Sequence, residues 1–282
     1  MDALHDELAP ACAGLQRWDA AATLARAPCL RPDQVMGALW DPESTDIDVQ
    51  ALHQGFLRGF RRAGGTVRCG AAVAAAQRDG SGDWLVQMDD GSTAATRTLV
   101  NAAGAWGDVL AGLCGVAPVG LVPRRRSAFT FRAPEGVATA GWPAVVGVDE
   151  GWYFKPDAGQ LLGSPANADD TVPHDVRPEE LDIALGIHRI EAMTDLQIHR
   201  PTATWAGLRS FVPDGELVIG FDDAAAGFFW LVGQGGYGIQ SAAGASALAA
   251  ALVCGQPLSA SLLLEGVDPA AMAVQRLRGA VA

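Results

Sequence analysis

A glycine-rich segment near the C-terminus constrains the fold of this 282-residue chain more than any other stretch. It reads FFWLVGQGGYGIQSAAGASALAAALVCG over residues 228–255, and Gly233, Gly235 and Gly238 form the pattern G-x-G-x-x-G. The apolar run before the glycines predicts a strand, and residues 239–253 predict a helix. A complete dinucleotide-binding unit also needs a second strand with an acidic residue about twenty positions later. Only SASLLLEG and a short tail follow, so that unit is not complete here.

Three interpretations of this segment remain open on the residues alone. The glycines could hold a pyrophosphate, or they could form a tight turn that only allows strand and helix to pack closely. The third interpretation is a glycine-lined helix N-terminus. Its free N–H groups and positive dipole end would stabilise negative charge on a bound ring.

Composition favours a protein that binds small molecules and has neither a disulfide framework nor a metal site. The formal net charge of -12 argues against nucleic acid and anionic membrane surfaces as main partners. The five cysteines are scattered, and the five histidines form no ligand spacing, so we predict no metal site. No apolar run is long enough to span a membrane, and we expect a cytoplasmic protein.

The order of predicted elements suggests two interleaved domains of mixed α and β structure. Residues 1–45 are Ala-rich and predict mostly helix, and Asp48 is a plausible N-cap for a helix that ends at Gly64 and Gly65. WLVQM (84–88) and ATRTLV (95–100) predict a hairpin. Short β-like runs dominate from about 116 to 204, which suggests an inserted antiparallel-sheet domain.

Five segments together resemble the D-amino-acid oxidase superfamily of FAD-dependent amine oxidoreductases. They are DIDVQALHQGFLRGFRRAGGTV, LVNAAGAWGDVLAGLCGVAPVGLVPRRRSAFTF, WYFKPDAGQLLGSPANADDTVPHDVRPEELDIA, WAGLRSFVPDGELVIGF and GFFWLVGQGGYGIQ. Within the superfamily, KPDAG-LLGSPANAD and WAGLRSFV look most like the catabolic D-arginine dehydrogenases. The resemblance covers nearly the whole chain.

The resemblance implies an α+β (α/β) fold in which an FAD-binding domain, 1–115 and 205–282, is interleaved with a substrate domain, 116–204. Members of the superfamily begin with a βαβ unit that carries the true fingerprint and forms the central strands of the flavin sheet. This sequence starts beyond that unit, so we expect a truncated chain that lacks the pyrophosphate site and exposes strand edges and apolar surface.

The implied reaction is the oxidative deamination of a D-amino acid, of which D-arginine and D-lysine are the first candidates. Hydride leaves Cα for flavin N5, and water hydrolyses the imino acid to a 2-oxo acid and ammonia. The expected partners are the small-molecule D-amino acid and an unidentified electron acceptor. The chain would be a monomer or a homodimer.

The resemblance also implies substrate-binding residues. Arg209 matches the arginine that binds the substrate carboxylate, since a guanidinium can donate two parallel hydrogen bonds. Arg126 matches a second arginine of the same site, and Tyr153 a phenol that binds the carboxylate. The Gly236 carbonyl would accept from the substrate amine. Side-chain pocket positions fall on Ala144 and Val146, and the small Ala144 would widen the pocket.

Each of these assignments has a plain structural alternative. Arg209 could form a structural ion pair, Arg126 could belong to a solvated basic turn PRRRS, and Tyr153 could be a half-buried sheet aromatic. The residues implied in cofactor binding have the same alternatives of core packing or a tight turn: Val73, Ala103, Gly104, Trp106, Gly207, Gly235, Gly236, Tyr237, Gly238, Ile239 and Gln240.

Two other functions stay open. The chain could be another amine oxidoreductase of the superfamily, such as a glycine or sarcosine oxidase. It could also be an inactive truncated chain that binds no FAD.

Overall fold

The computed structural model describes residues 1–278 of the chain. Nine α-helices and fourteen strands alternate along this part of the sequence. In chain order they are α1 (Asp2–Leu8), β1 (Gln16–Asp19), α2 (Ala20–Arg26), β2 (Gly37–Trp40), α3 (Val49–Arg62), β3 (Val73–Arg78), β4 (Trp84–Met88), β5 (Thr93–Thr96), β6 (Leu99–Asn101), α4 (Gly107–Leu113), β7 (Val122–Phe131), β8 (Val145–Val146), β9 (Tyr153–Asp157), β10 (Gln160–Ser164), β11 (Asp169–Asp170), α5 (Glu180–Met193), β12 (Ala203–Phe211), β13 (Val218–Phe221), β14 (Phe228–Val232), α6 (Ala242–Val253), α7 (Ala260–Leu264), α8 (Pro269–Met272) and α9 (Gln275–Arg278). The predicted mixed α and β fold with antiparallel sheets is confirmed.

The chain divides into two compact units. Unit 1 comprises Met1–Asp46, Arg125–Asp169 and His174–Leu208, and unit 2 comprises Ile47–Arg124, Asp170–Pro173 and Arg209–Ala282. Residues 1–46 thus lie in the same unit as most of the predicted substrate domain. Which stretches form a cofactor domain and which a substrate domain remains a prediction.

Unit 1 is built on an antiparallel sheet covered on one face by α5. Strands run in the order β11-β7-β10-β9-β8, and β12 pairs with β7. Phe129, Phe154 and Leu161 are fully buried in one cluster with Ile183 and Ile190 of α5. Alternation along the strands puts the neighbouring residues on the opposite face of the sheet, which we call the open face.

The first 45 residues contradict the prediction of mostly helix. Only α1 and α2 are helical there, and β1 and β2 form an antiparallel pair. The rings of Trp18 and Trp40 stack across this pair with centroids 4.7 Å apart. Cross-strand aromatic stacking of this kind stabilises a ribbon that the Ala-rich composition alone does not reveal.

Unit 2 contains two three-stranded sheets, β13-β14-β6 and β3-β4-β5. Phe228, Trp230 and Val232 of β14 pack in one core, and Phe229 packs in another with Leu248 of α6. β14 is therefore buried on both faces, as its continuous apolar run requires. The second strand of the predicted hairpin is divided in the structure. Its first part lies in β5, which pairs with β4, and its last part lies in β6, which pairs in parallel with β14.

Helix α3 confirms its predicted start, because the Asp48 side chain accepts a hydrogen bond from the Ala51 N–H at 2.8 Å. The helix is strongly amphipathic, yet none of its residues is buried. Phe56 and Phe60 expose 52% and 49% of their surface on the apolar side. An apolar stripe with no cover from the described residues is a surface that favours association.

This stripe leads to a prediction about the isolated chain. The double substitution Phe56→Gln/Phe60→Gln should shift Tm by only about 2 °C or less, because exposed side chains contribute little to stability. It should also reduce the binding of a hydrophobic dye and any self-association. Thermal melts and analytical ultracentrifugation measure both effects.

The matched control is Phe229→Gln, whose ring is fully buried. It should cost about 3 kcal/mol or more. A double variant that loses as much stability as this control would show that α3 is packed in solution.

Candidate functional site

The glycine turn after β14 is fixed by contacts outside the following helix. Gly233 and Gly235 have left-handed φ values of 78° and 51°. The Gly235 N–H donates to the Ser210 carbonyl at 2.9 Å, and the Tyr237 hydroxyl donates to the Gly215 carbonyl at 2.5 Å. These anchors hold the chain in turns, so helix α6 begins at Ala242 and not at 239 as the sequence predicted.

Burial makes Tyr237 a fixed donor in this turn. Burial, together with the nearby Glu216 and Asp214 carboxylates, raises the pKa of the Tyr237 hydroxyl. The phenol therefore keeps its proton at neutral pH and its bond to Gly215. Its ring serves to hold the turn, and the predicted cofactor contact of this residue stays a prediction.

Several main-chain donors of the turn have no acceptor. Within residues 1–278, the N–H groups of Gly236, Gly238, Ile239 and Gln240 make no hydrogen bond to another residue. They precede the 12-residue helix α6, whose N-terminal end carries partial positive charge. The turn can therefore accept a ligand that presents hydrogen-bond acceptors or negative charge.

Arg209 lies directly against this turn. It is half-buried at the end of β12, and a Cβ atom placed on Gly236 would lie 2.9 Å from its Nη1 atom. No other residue in the described part of the chain hydrogen-bonds or ion-pairs with its guanidinium. A half-buried guanidinium with an unused donor fork is a receptor for a carboxylate.

Arg124 and Phe211 also border the turn, and neither was predicted to belong to the site. The Arg124 guanidinium lies 4.9 Å from the centroid of the Phe211 ring, and its Nε donates to Asp170 at 2.8 Å. The same ring would lie 3.0 Å from a Cβ atom on Gly235. Arg124 is the first arginine of the PRRRS run, and that run was the available signal.

Three of the predicted substrate residues share the open face of the unit 1 sheet. Phe154 and Phe129 both pair with Gly163, and their side chains point into the core. Tyr153 and Arg126 are each an odd number of positions away, so they point to the opposite face. Val146 pairs with Tyr153 and shares that face.

Tyr153 and Arg126 differ in their availability. The half-buried Tyr153 hydroxyl has no hydrogen-bond partner among residues 1–278, so it can bind a ligand. The Arg126 Nε donates to the Asn167 carbonyl, which ties this guanidinium to its own sheet. Arg126 therefore has a structural task whether or not it also contacts a substrate.

The remaining pocket and cofactor positions in unit 1 are open to solvent. Val146 exposes 58% of its surface, and Ala144 and Gly207 are exposed as well. A Cβ atom on Gly207 would meet nothing within 4 Å. The contacts within this unit thus leave room for a ligand at these three positions.

The NAAGAW segment of unit 2 is a turn locked by Asn101. The Asn101 side chain donates to the Gly107 carbonyl at 2.8 Å and accepts from the Ala103 N–H at 3.2 Å. Gly104 has a φ of 56°, but a Cβ atom there would touch nothing. The close approach is at Gly107, where a Cβ atom would lie 2.6 Å from Leu121.

Val73 and Trp106 are placed differently in unit 2. Val73 begins β3 and packs partly against the core, which fits the packing alternative. Trp106 leaves 45% of its surface exposed next to the Asn101 turn. In the described part of the chain, no cluster of residues could hold a metal ion, and no helix is long and apolar enough to cross a membrane.

Comparison with known proteins identifies the family. Solved structures with similar folds include glycine oxidase from Geobacillus kaustophilus, with a TM-score of 0.78 and 23% identity over 93% of this chain and 67% of that chain. L-proline dehydrogenase from P. horikoshii has a TM-score of 0.77 and 18% identity over 94% of this chain and 69% of that one. L-amino acid deaminase from Proteus myxofaciens has a TM-score of 0.78 and 13% identity over 98% and 72%.

These TM-scores establish the fold, and the chain spans about two thirds of the length of the glycine oxidase. The sequence itself matches the model of the FAD dependent oxidoreductase family over residues 1–252. That match covers most of the chain, and the cofactor of the family is FAD. The chain belongs to the FAD dependent oxidoreductase family.

Proposed function

We propose that this chain carries the ring-binding and substrate-binding parts of a flavoenzyme that oxidatively deaminates a D-amino acid. The observation that carries the proposal is the half-buried, unpaired guanidinium of Arg209 against Gly236. An arginine held in this way beside a turn rich in N–H groups suits a substrate carboxylate next to a flavin ring.

The donor set of the glycine turn fits the flavin ring. Four unpaired N–H groups would face the carbonyl-bearing edge of the ring, those of Gly236, Gly238, Ile239 and Gln240. Gly235 has no side chain, which would let the main chain of the turn come close to the ring. FAD supplies the acceptor for a hydride when it is bound. The helix end at α6 favours the negative charge that the reduced ring carries.

The residues of this chain would orient the substrate. Arg209 would donate two parallel hydrogen bonds to the carboxylate, and the Gly236 carbonyl would accept from the amine. Together these contacts fix Cα, so that its hydrogen can leave with its electron pair while the amine loses a proton. Tyr153 and Arg126 are the further carboxylate donors that the resemblance implies. Water then converts the released imino acid to a 2-oxo acid and ammonia.

The preference for a basic side chain rests on the resemblance of KPDAG-LLGSPANAD and WAGLRSFV to catabolic D-arginine dehydrogenases. The exposed Ala144 and Val146 leave space for a long side chain within their own unit. D-arginine and D-lysine are therefore the proposed substrates.

Cofactor retention is the first test. We expect the purified 282-residue chain, incubated with FAD and freed of unbound cofactor, to keep flavin bands at about 370 and 450 nm. Absorbance spectroscopy measures the bound fraction. Gly238→Ala should keep less flavin than the wild type, because a Cβ atom there would lie 2.7 Å from the Gln234 side chain and disturb the turn. A colourless wild-type protein would contradict FAD binding by this chain.

Substrate choice is tested on the FAD-loaded chain with an artificial electron acceptor. We expect D-arginine and D-lysine to reduce the dye, and L-arginine, glycine and sarcosine to do so at least about tenfold more slowly. Faster turnover of glycine or sarcosine would favour a glycine oxidase type of activity. Reduction by none of them in a yellow protein would refute the proposed reaction while leaving cofactor binding intact.

A further inference from the structure

A polar cleft lies in unit 1, at the end of β7. It has a volume of about 560 Å³ and is formed by the end of this strand and the segment before β12. Its polar lining residues are Arg132, Gln197, His199, Arg200 and Thr202. None of the residues that line it carries a carboxylate, although the chain as a whole has a net charge of -12.

The two arginines of this cleft are unpaired. Neither Arg132 nor Arg200 makes an ion pair or a side-chain hydrogen bond with another residue in the range 1–278. Most other arginines of unit 1 are engaged; Arg125, for example, contacts Asp169, Glu179 and Asp182. Two unpaired guanidinium groups that line one cleft give it a positive potential, which favours an anion.

Hydrogen bonds hold the backbone of the cleft on either side of Arg200. Ile198 is buried, and its N–H donates to the Glu191 carboxylate at 2.6 Å. The Thr202 N–H donates to the Thr130 carbonyl at 2.7 Å, and the two threonine hydroxyls are 2.8 Å apart. The arginines therefore project from a backbone that is already fixed, which lowers the entropy cost of binding a ligand between them.

We propose that this cleft binds a small oxoanion, with Arg132 and Arg200 as the charged donors and His199 and Gln197 as further donors. Planar guanidinium forks match the oxygen atoms of a phosphate or a carboxylate. Phosphate and dicarboxylate share this chemistry, and both carry two negative charges to set against two arginines. The site is independent of the proposed flavin chemistry.

Isothermal titration calorimetry of the 282-residue chain with potassium phosphate at constant ionic strength tests the proposal. A parallel titration with malonate distinguishes a phosphate site from a carboxylate site. We expect saturable binding of one anion per chain to at least one of the two probes. Arg132→Gln and Arg200→Gln should each weaken that binding by about tenfold or more, since each removes a charge-assisted contact.

The matched control is Arg177→Gln, which removes an exposed arginine of the same unit that does not line the cleft. It should leave the affinity unchanged. Because Arg132 and Arg200 are exposed, their variants should have the same Tm as the wild type, which thermal melts measure. The proposal would be overturned if neither anion showed saturable binding. It would also be overturned if the Arg132→Gln/Arg200→Gln double variant bound the anion as tightly as the wild type.

Discussion

Replacing Asp222 with asparagine should lower the free energy of unfolding by about 3 to 5 kcal/mol, the usual cost of breaking a buried ion pair. The Asp222 side chain is fully buried in unit 2, and it pairs with the Arg278 guanidinium. It also accepts from the Trp230 indole at 2.9 Å and from the Ala224 N–H at 2.9 Å. Asparagine keeps the shape but leaves Arg278 without its buried charge partner, and chemical denaturation measures the loss.

The pH dependence of this stabilisation has a definite sign. Burial alone would raise the pKa of the Asp222 carboxyl, but the hydrogen bonds from Trp230, Arg278, Ala224 and Ala225 together outweigh it and lower the pKa. The contribution is therefore complete above the unfolded pKa of about 3.9 and is lost as the pH falls through the lower folded value. The difference between wild type and Asp222→Asn should be constant above about pH 5 and shrink below about pH 4.

Asp223 provides the control, because it pairs with the same arginine but leaves 48% of its side chain exposed. Asp223→Asn should cost only about 1 kcal/mol or less. Equal losses in the two variants would show that burial of Asp222 does not determine the effect.

Local patterns predicted the fold best where a segment has one strong signal. The N-cap of α3 and the apolar run of β14 are of this kind, and the structure confirms them. The N-terminal ribbon was missed because alanine content indicates helix, whereas the stacking of Trp18 on Trp40 is a contact across 22 residues that no local pattern contains. The pairing of β6 was predicted wrongly for the same reason, since its partner β14 lies far along the chain.

The candidate site shows the same limit. Arg209 was predicted from its motif, and the structure shows that the described residues leave its guanidinium unpaired. The resemblance selected Arg126 among three neighbouring arginines, but the sequence does not show how the contacts of the three differ. Only the fold shows that Arg124 lies over Phe211, Arg125 joins an acidic cluster and Arg126 is tied to Asn167. Side-chain alternation along β7 separates Arg125 from Arg124 and Arg126, and the contacts of each guanidinium separate those two.

Arg209→Ala should reduce kcat/KM of the FAD-loaded chain for D-arginine by about 100-fold or more. Hydrogen bonds from a charged donor contribute about 1.5 to 3 kcal/mol each, and a bidentate guanidinium supplies two of them. The loss should be larger than for Arg209→Lys, since lysine keeps the charge but not the fork. Steady-state kinetics measure the effect, and D-amino acids are compared with their amides, which lack the carboxylate charge.

Two further variants separate substrate binding from stability. Arg97→Ala removes an exposed arginine of the same unit and should change neither kinetics nor Tm. Gly236→Ala should act like Arg209→Ala, because the added Cβ would lie 2.9 Å from Nη1 and displace the flexible end of that side chain at little cost in stability. If Arg209→Ala kept normal turnover and affinity in a yellow, folded protein, Arg209 would not be the carboxylate receptor, and the unpaired guanidinium would need another ligand.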